Sequence, residues 1–219
     1  MNGSSIDGKE IFMEIKRLVL GLVRTNCYIV YAEDTKKSVI IDPAADSRRI
    51  TEEISALGVI PEAVLLTHGH FDHMLAAESL KNSYQIPVCV AKEDAQLLQH
   101  PELNCSEQFL HMSYGISADE ELEDGQNLRF LDGTFTVIAT PGHTEGSCCY
   151  YAKKEGILFS GDTLFQESVG RTDLPTGSSA KLTKSIREKL FVLPDNTLVL
   201  SGHGDQTTIG EEKQYNPYV

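Results

Sequence analysis

Seven side chains able to bind a first-row metal ion stand along this chain in a fixed order, and every group of them directly follows a run that reads as a β-strand. The densest group is Thr67-His68-Gly69-His70-Phe71-Asp72-His73, in which His68, His70, Asp72 and His73 fall within six residues. His143 follows in Thr140-Pro141-Gly142-His143-Thr144, Asp162 in Ser160-Gly161-Asp162-Thr163, and His203 in Ser201-Gly202-His203-Gly204. Strand ends on a common edge of packed sheets bring distant residues together on a rigid frame, so the order predicts a sheet-built fold with its site at one edge. Five imidazoles and two carboxylates suffice for two neighbouring ions. Such a pair supplies hydroxide at neutral pH, so the residues predict a hydrolytic enzyme.

The groups differ in what each would mean alone. Four ligand types in six residues rarely arise for packing reasons, and Gly69 permits a tight bend between two of them. His143 and His203, beside Gly142 and Gly202, would each read in isolation as turn histidines; the cluster makes them ligand candidates. Asp162 alone could cap a turn. Its carboxylate is the group able to bridge two cations, which a neutral imidazole cannot do. Asp72 can both bind an ion and accept a hydrogen bond from an attacking hydroxide, aiming it. Asp42, in Ile-Ile-Asp-Pro, ends a strand and reads either as a partner orienting a ligand imidazole or as a turn former. His100 and His111 read as ordinary surface or partly buried histidines.

Between these motifs lie short elements. Strands are expected over 13–20, 26–31, 37–42, 63–66, 86–90, 128–131, 134–140, 147–152, 157–160 and 197–200. Helices are expected over 47–57, stopping at Gly58, and over 74–81, 92–99 and 179–190. Residues 105–124 mix apolar and acidic residues without a clean period. Residues 1–12 are polar and contain Gly and Ser, and are expected to be a disordered extension ahead of one domain over 13–219.

A chain of 219 residues suits one compact core. Its formal charge of −13 argues against nucleic acid and anionic lipid as partners, because phosphate binding needs clustered Lys and Arg. No stretch is long and apolar enough for a bilayer span, and the start has no secretory apolar region. The five cysteines show no C-x-x-C spacing, which suits reduced thiols and a cytoplasmic location. Adjacent Cys148 and Cys149 should point to opposite faces of one strand.

With these residues placed, residues 13–219 closely resemble the metallo-β-lactamase superfamily. Within it they resemble the short, single-domain relatives of glyoxalase II (hydroxyacylglutathione hydrolase). The motifs carrying the resemblance are Thr67 to His73, Thr140 to Thr144, Ser160 to Phe165, Ser168 to Gly177 and Ser201 to His203. The resemblance implies an α/β fold of α+β type, an αββα four-layer sandwich. It implies that His68, His70 and His143 hold one divalent metal ion, that Asp72, His73 and His203 hold a second, and that Asp162 bridges them. Zinc is the expected metal, with iron and manganese compatible with the same donors.

The resemblance also sharpens the substrate. Many lactamases of the superfamily carry Cys in place of Asp162, which argues against lactam hydrolysis. Flavodiiron relatives carry Glu in place of His70, which argues against reduction of oxygen or nitric oxide. Long glyoxalase II enzymes have Lys at Arg171 and Tyr at Asp173, both gripping glutathione, and a C-terminal helical domain that this chain does not show. Arg171 keeps the cation and is the candidate for holding a substrate carboxylate. The expected reaction is hydrolysis of a small-molecule thioester. The Gly170-Arg171-Thr172-Asp173 segment also resembles persulfide dioxygenases, which bind one iron; such an oxidoreductase is the alternative reading. Metal identity, acyl group, thiol carrier and oligomeric state stay open at this level.

Overall fold

The structure, a computed structural model, describes residues 13–219; the expectation for residues 1–12 lies outside the described residues. Two six-stranded sheets form its centre. The first runs in spatial and chain order through β1 (Met13–Leu20), β2 (Thr25–Ala32), β3 (Lys37–Ile41), β4 (Ile60–Leu65), β5 (Val88–Ala91) and β6 (Glu120–Leu122). β1 to β3 are antiparallel, whereas β3 to β6 are parallel. The second sheet contains β7 (Asn127–Phe130), β8 (Gly133–Ala139), β9 (Cys148–Ala152), β10 (Ile157–Gly161), β13 (Leu198–Ser201) and β14 (Thr207–Thr208), in the order β14-β13-β10-β9-β8-β7. A small hairpin of β11 (Leu164–Phe165) and β12 (Ser168–Val169) stands apart.

Period-two alternation decides which face each residue serves. In the first sheet Tyr28, Val30, Val39, Ile41, Ala63 and Leu65 face the second sheet, where they meet Phe135, Val137, Tyr150, Phe159 and Leu200. Their neighbours Ile29, Ile40, Val64 and Val88 face outward, onto α1 (Ser47–Leu57) and α3 (Ala77–Tyr84). The outer face of the second sheet, with Cys149, Tyr151, Leu158 and Val199, packs on α5 (Ser179–Ser185) and α6 (Ile209–Tyr215). The result is the expected αββα order of layers. Cys148 lies in the inter-sheet core and Cys149 in the outer one, on opposite faces as alternation requires.

The α1 boundaries match the expectation because both ends are chemically marked. The Asp46 side chain accepts from Arg49 N, and Gly58 closes the helix in the left-handed region at φ 65°. Elsewhere expectations are corrected. The helix expected over 74–81 is two pieces, α2 (Phe71–Met74) and α3, with His70 in extended conformation capping the first. The helix expected over 92–99 is two 3₁₀ turns, Lys92–Asp94 and Leu97–Gln99. The helix expected over 179–190 is α5 followed by a π-type turn, Ile186–Leu190. The illegible 105–124 stretch contains α4 (Ser106–Leu110) and β6. Unanticipated elements are β11, β12, β14 and α6, most of them too short for a periodic signal.

Candidate metal centre

Four strand ends deliver the seven groups to one place. β4 leads into His68 and His70, then α2 carries Asp72 and His73. β8 leads to His143, β10 to Asp162 and β13 to His203. Their donor atoms fall into three overlapping sets, each with atoms within 4.8 Å of one another: His68, His70 and His143; His68, His73 and Asp162; Asp72, His73 and His203. His70 Nδ1 lies 2.9 Å from His143 Nε2. Asp162 stands between the sets, with Oδ1 3.4 Å from His73 Nε2 and Oδ2 3.4 Å from His203 Nε2 and 3.5 Å from His143 Nε2. Gly202 permits this closeness, since a Cβ there would collide with the Asp162 carboxylate.

The donor set fits divalent cations on one further observation. His68 Nε2, His70 Nε2, His73 Nε2 and Asp162 Oδ1 are buried and have no hydrogen-bond partner. Burying a polar atom unpaired costs about 1–3 kcal/mol each, and His68 Nε2, His73 Nε2 and Asp162 Oδ1 belong to one set of donor atoms within 4.8 Å of one another, where an ion would satisfy all three.

Outer contacts fix which nitrogen faces inward. His73 Nδ1 donates to Asp42 Oδ2 at 2.9 Å, leaving Nε2 for the centre. Asp42 also accepts from Thr67 N at 2.8 Å and Thr67 Oγ1 at 2.7 Å. Asp42 sits at φ 49°, a left-handed conformation unusual for a non-glycine residue and doubly so before proline. Such strain at a buried, fully bonded carboxylate favours the ligand-orienting alternative over a mere turn. His143 Nδ1 donates to the Arg171 backbone carbonyl at 2.7 Å, so its Nε2 faces inward. Thr25 Oγ1 donates to Asp72 Oδ2 at 2.8 Å.

Charge divides the cluster. Burial, with the neighbouring imidazoles, pushes His68 well below its ordinary value and His70 down to about 3, so both are neutral donors. For His73 and His203 burial also acts downward, but the carboxylates overcome it. Asp72, Asp162 and Asp42 hold His73 well above its usual range, and Asp162 and Asp72 raise His203 to about 9. Burial would raise Asp72, yet the adjacent imidazoles hold it at about 2; Asp162 is held well below the carboxylate range against the same opposition.

A cleft of about 160 Å³ opens on the cluster. Its lining includes apolar Val23, Phe71, Phe109 and Leu174, and Arg171. The Arg171 guanidinium is exposed and bound at both ends by Asp173, at 2.7 and 2.8 Å. A larger hollow of about 340 Å³, lined by Glu78, Lys81 and Gln99, contains none of the seven groups. His100 and His111 are exposed and stand outside the cluster. Sequence reasoning missed three contributors. Thr25 and the Arg171 carbonyl had no signal, since neither is a residue type that marks a site. Asp94, buried beside the His68–His70 loop, was hidden in a stretch that reads as a helix.

Residues 20–203 match the family described as the metallo-beta-lactamase superfamily. The chain belongs to this superfamily. It is 36% identical over 208 residues to the "Probable metallo-hydrolase YqgX" of Bacillus subtilis, covering 94% of this chain and 98% of that one. It is 34% identical over 209 residues to "Hydroxyacylglutathione hydrolase GloC" of Haemophilus influenzae, again covering 94% and 98%. Among solved structures it is similar to the BLEG-1 B3 metallo-beta-lactamase, with TM-score 0.90, 40% identity and coverage of 94% and 99%. It is also similar to TTHA1623 in a di-iron-bound form, with TM-score 0.83, 33% identity and coverage of 93% and 100%. ETHE1 from Myxococcus xanthus matches with TM-score 0.78, 30% identity and coverage of 93% and 83%. Members of this superfamily are typically metal-dependent hydrolases, and this chain carries the His/Asp cluster such chemistry needs. No helix of the described residues is long and apolar enough to cross a membrane.

Proposed function

We propose that this protein is a dinuclear metal-dependent thioesterase of the hydroxyacylglutathione hydrolase kind. The observation that carries the reading is the convergence of all seven groups with buried donor atoms left bare. The relative named GloC supports the substrate class. His68, His70 and His143 would hold one ion and Asp72, His73 and His203 the other, with the Asp162 carboxylate available to both. When bound, two such ions, zinc first among the candidates, lower the pKa of water to about 7 and polarise a carbonyl.

The chain's own residues do the rest. Asp72, steadied by Thr25, accepts a hydrogen bond from the attacking hydroxide and aims it. Asp42 and the Arg171 carbonyl hold the His73 and His143 rings in the inward-facing tautomer. The apolar cleft residues exclude water around the acyl carbon. A thiolate leaves without a dedicated acid, because an ordinary thiol has a pKa of about 8.5. Arg171 at the cleft holds a substrate carboxylate once that group displaces Asp173.

Metal analysis paired with turnover of S-D-lactoylglutathione tests this. Two metals per chain with turnover support it, and Asp162→Ala should lose metal and rate together by more than about a hundredfold, since even outer partners cost 10–100-fold. One iron per chain with oxygen uptake on glutathione persulfide would instead favour the dioxygenase that the Gly170–Asp173 segment resembles. A β-lactam included in the same assay addresses the likeness to BLEG-1. Faster turnover of the lactam than of the thioester would overturn the substrate assignment.

A further inference from the structure

Asp94 is fully buried and spends its carboxylate on the two loops that deliver His68, His70 and His143. Oδ2 accepts from Gly69 N at 2.9 Å and from Thr144 Oγ1 at 2.7 Å; Oδ1 accepts from Gly146 N at 2.7 Å. Gly69 is the residue between His68 and His70, and Thr144 is next to His143. The first loop follows β4 of one sheet and the second follows β8 of the other, so a single carboxylate spans both layers beside the cluster.

The fit around it is tight on both sides. A Cβ on Gly69 would lie 2.7 Å from Leu97 Cδ2, and one on Gly146 would collide with the Asp94 backbone nitrogen. Both glycines therefore admit the Asp94 segment into close contact. The two 3₁₀ turns that stand where a helix was expected place Asp94 and Leu97 against these loops together. Asp42 contacts the other set directly, through His73.

We propose that Asp94 is the positioning residue for the His68/His70/His143 metal set: it locks the two loops in the spacing one ion requires, and acts on the second ion only weakly. The proposal rests on the ligand assignment made above. Asparagine at this position leaves an N–H group facing a donor, so Asp94→Asn breaks the grip without a large change in volume.

Zinc affinity, measured by competition with a chromophoric chelator, separates this role from a general one in folding. The measurement is made in two backgrounds. His203→Ala keeps the His68/His70/His143 set intact, and His70→Ala keeps the Asp72/His73/His203 set. Adding Asp94→Asn should weaken zinc by about 10–100-fold in the first background and change it less than twofold in the second. Thr144→Val removes one of the three donors and should weaken zinc less, in the same background only; it serves if Asp94→Asn fails to fold. Equal weakening in both backgrounds, or none in the first, would overturn the proposal. If neither background binds one zinc before Asp94 is touched, the ligand assignment fails and takes this inference with it.

Discussion

At the scale of single residues, two groups have consequences that can be measured. Arg171 serves the site twice, by its backbone carbonyl on His143 and by its guanidinium at the cleft. The guanidinium is engaged by Asp173, and an exposed pair of this kind is weak and easily displaced. Asp173→Ala should therefore lower KM for a carboxylate-bearing thioester by at most about fivefold with kcat unchanged. Steady-state kinetics checks this, and an unchanged or raised KM would remove Arg171 from the substrate site. His203 supplies the second consequence. Its metal-free pKa, raised to about 9, means it carries a proton at pH 7 that coordination must expel. The sign follows: this raised imidazole stabilises the metal-free fold below about 6.5, a contribution that fades as pH climbs through about 9, and zinc affinity weakens as pH falls below that value. Calorimetric titration in two buffers of different ionisation enthalpy should show net proton release at pH 7.

At the scale of elements, the two sheets are tied together at the ends that carry the cluster. Tyr28 of β2 donates to the Ser201 carbonyl at 2.7 Å, two residues before His203. Tyr150 of β9 donates to the Leu66 carbonyl at 2.7 Å, two residues before His68. The Asn26 side chain and backbone hold Ser201 and Gly202 as well, and Cys148 N donates to Thr67 O. Each tie crosses from one sheet to the other. Tyr150→Phe leaves the buried Leu66 carbonyl short of a partner and should cost about 1–3 kcal/mol, read from urea unfolding, whereas Tyr28→Phe should cost only about 0.5–1.5 kcal/mol because Asn26 still donates to the Ser201 carbonyl. Both rings remain packed, so the fold should survive. None of these ties was legible in the sequence, because a buried tyrosine in an apolar strand looks like core. The strands themselves were legible: Val- and Ile-rich runs over 26–31 and 37–42 fall on β2 and β3, and Gly58 marks the end of α1. The clustering of the seven groups was legible because His and Asp are rare in that density. Asp94 was not, because Lys92 to Gln99 has helical composition, and the contacts that break it into two turns come from residues more than twenty positions away.

At the scale of the whole molecule, four of the five cysteines, Cys27, Cys89, Cys148 and Cys149, report on closure of the three cores, and Cys105 lies at the cleft. All five are free and buried. Burial pushes the Cys149 thiol up to about 11 and Cys89 up to about 12, and raises the other three. A thiol reagent at pH 8 should label the native protein only slowly and react with all five after unfolding in urea. Rapid labelling of several thiols in the native state would mean that the sheets part readily. The apolar faces that bury these thiols also hold the strand ends in register, and the strand ends carry the seven donors. Fold and chemistry thus depend on the same packing. The most direct measurement of that claim is anomalous scattering from zinc-loaded crystals. Two peaks are predicted, one among His68, His70 and His143 and one among Asp72, His73 and His203, with the Asp162 carboxylate between them. Zinc bound elsewhere with this cluster empty, or held by fewer than three of these side chains, would contradict the account.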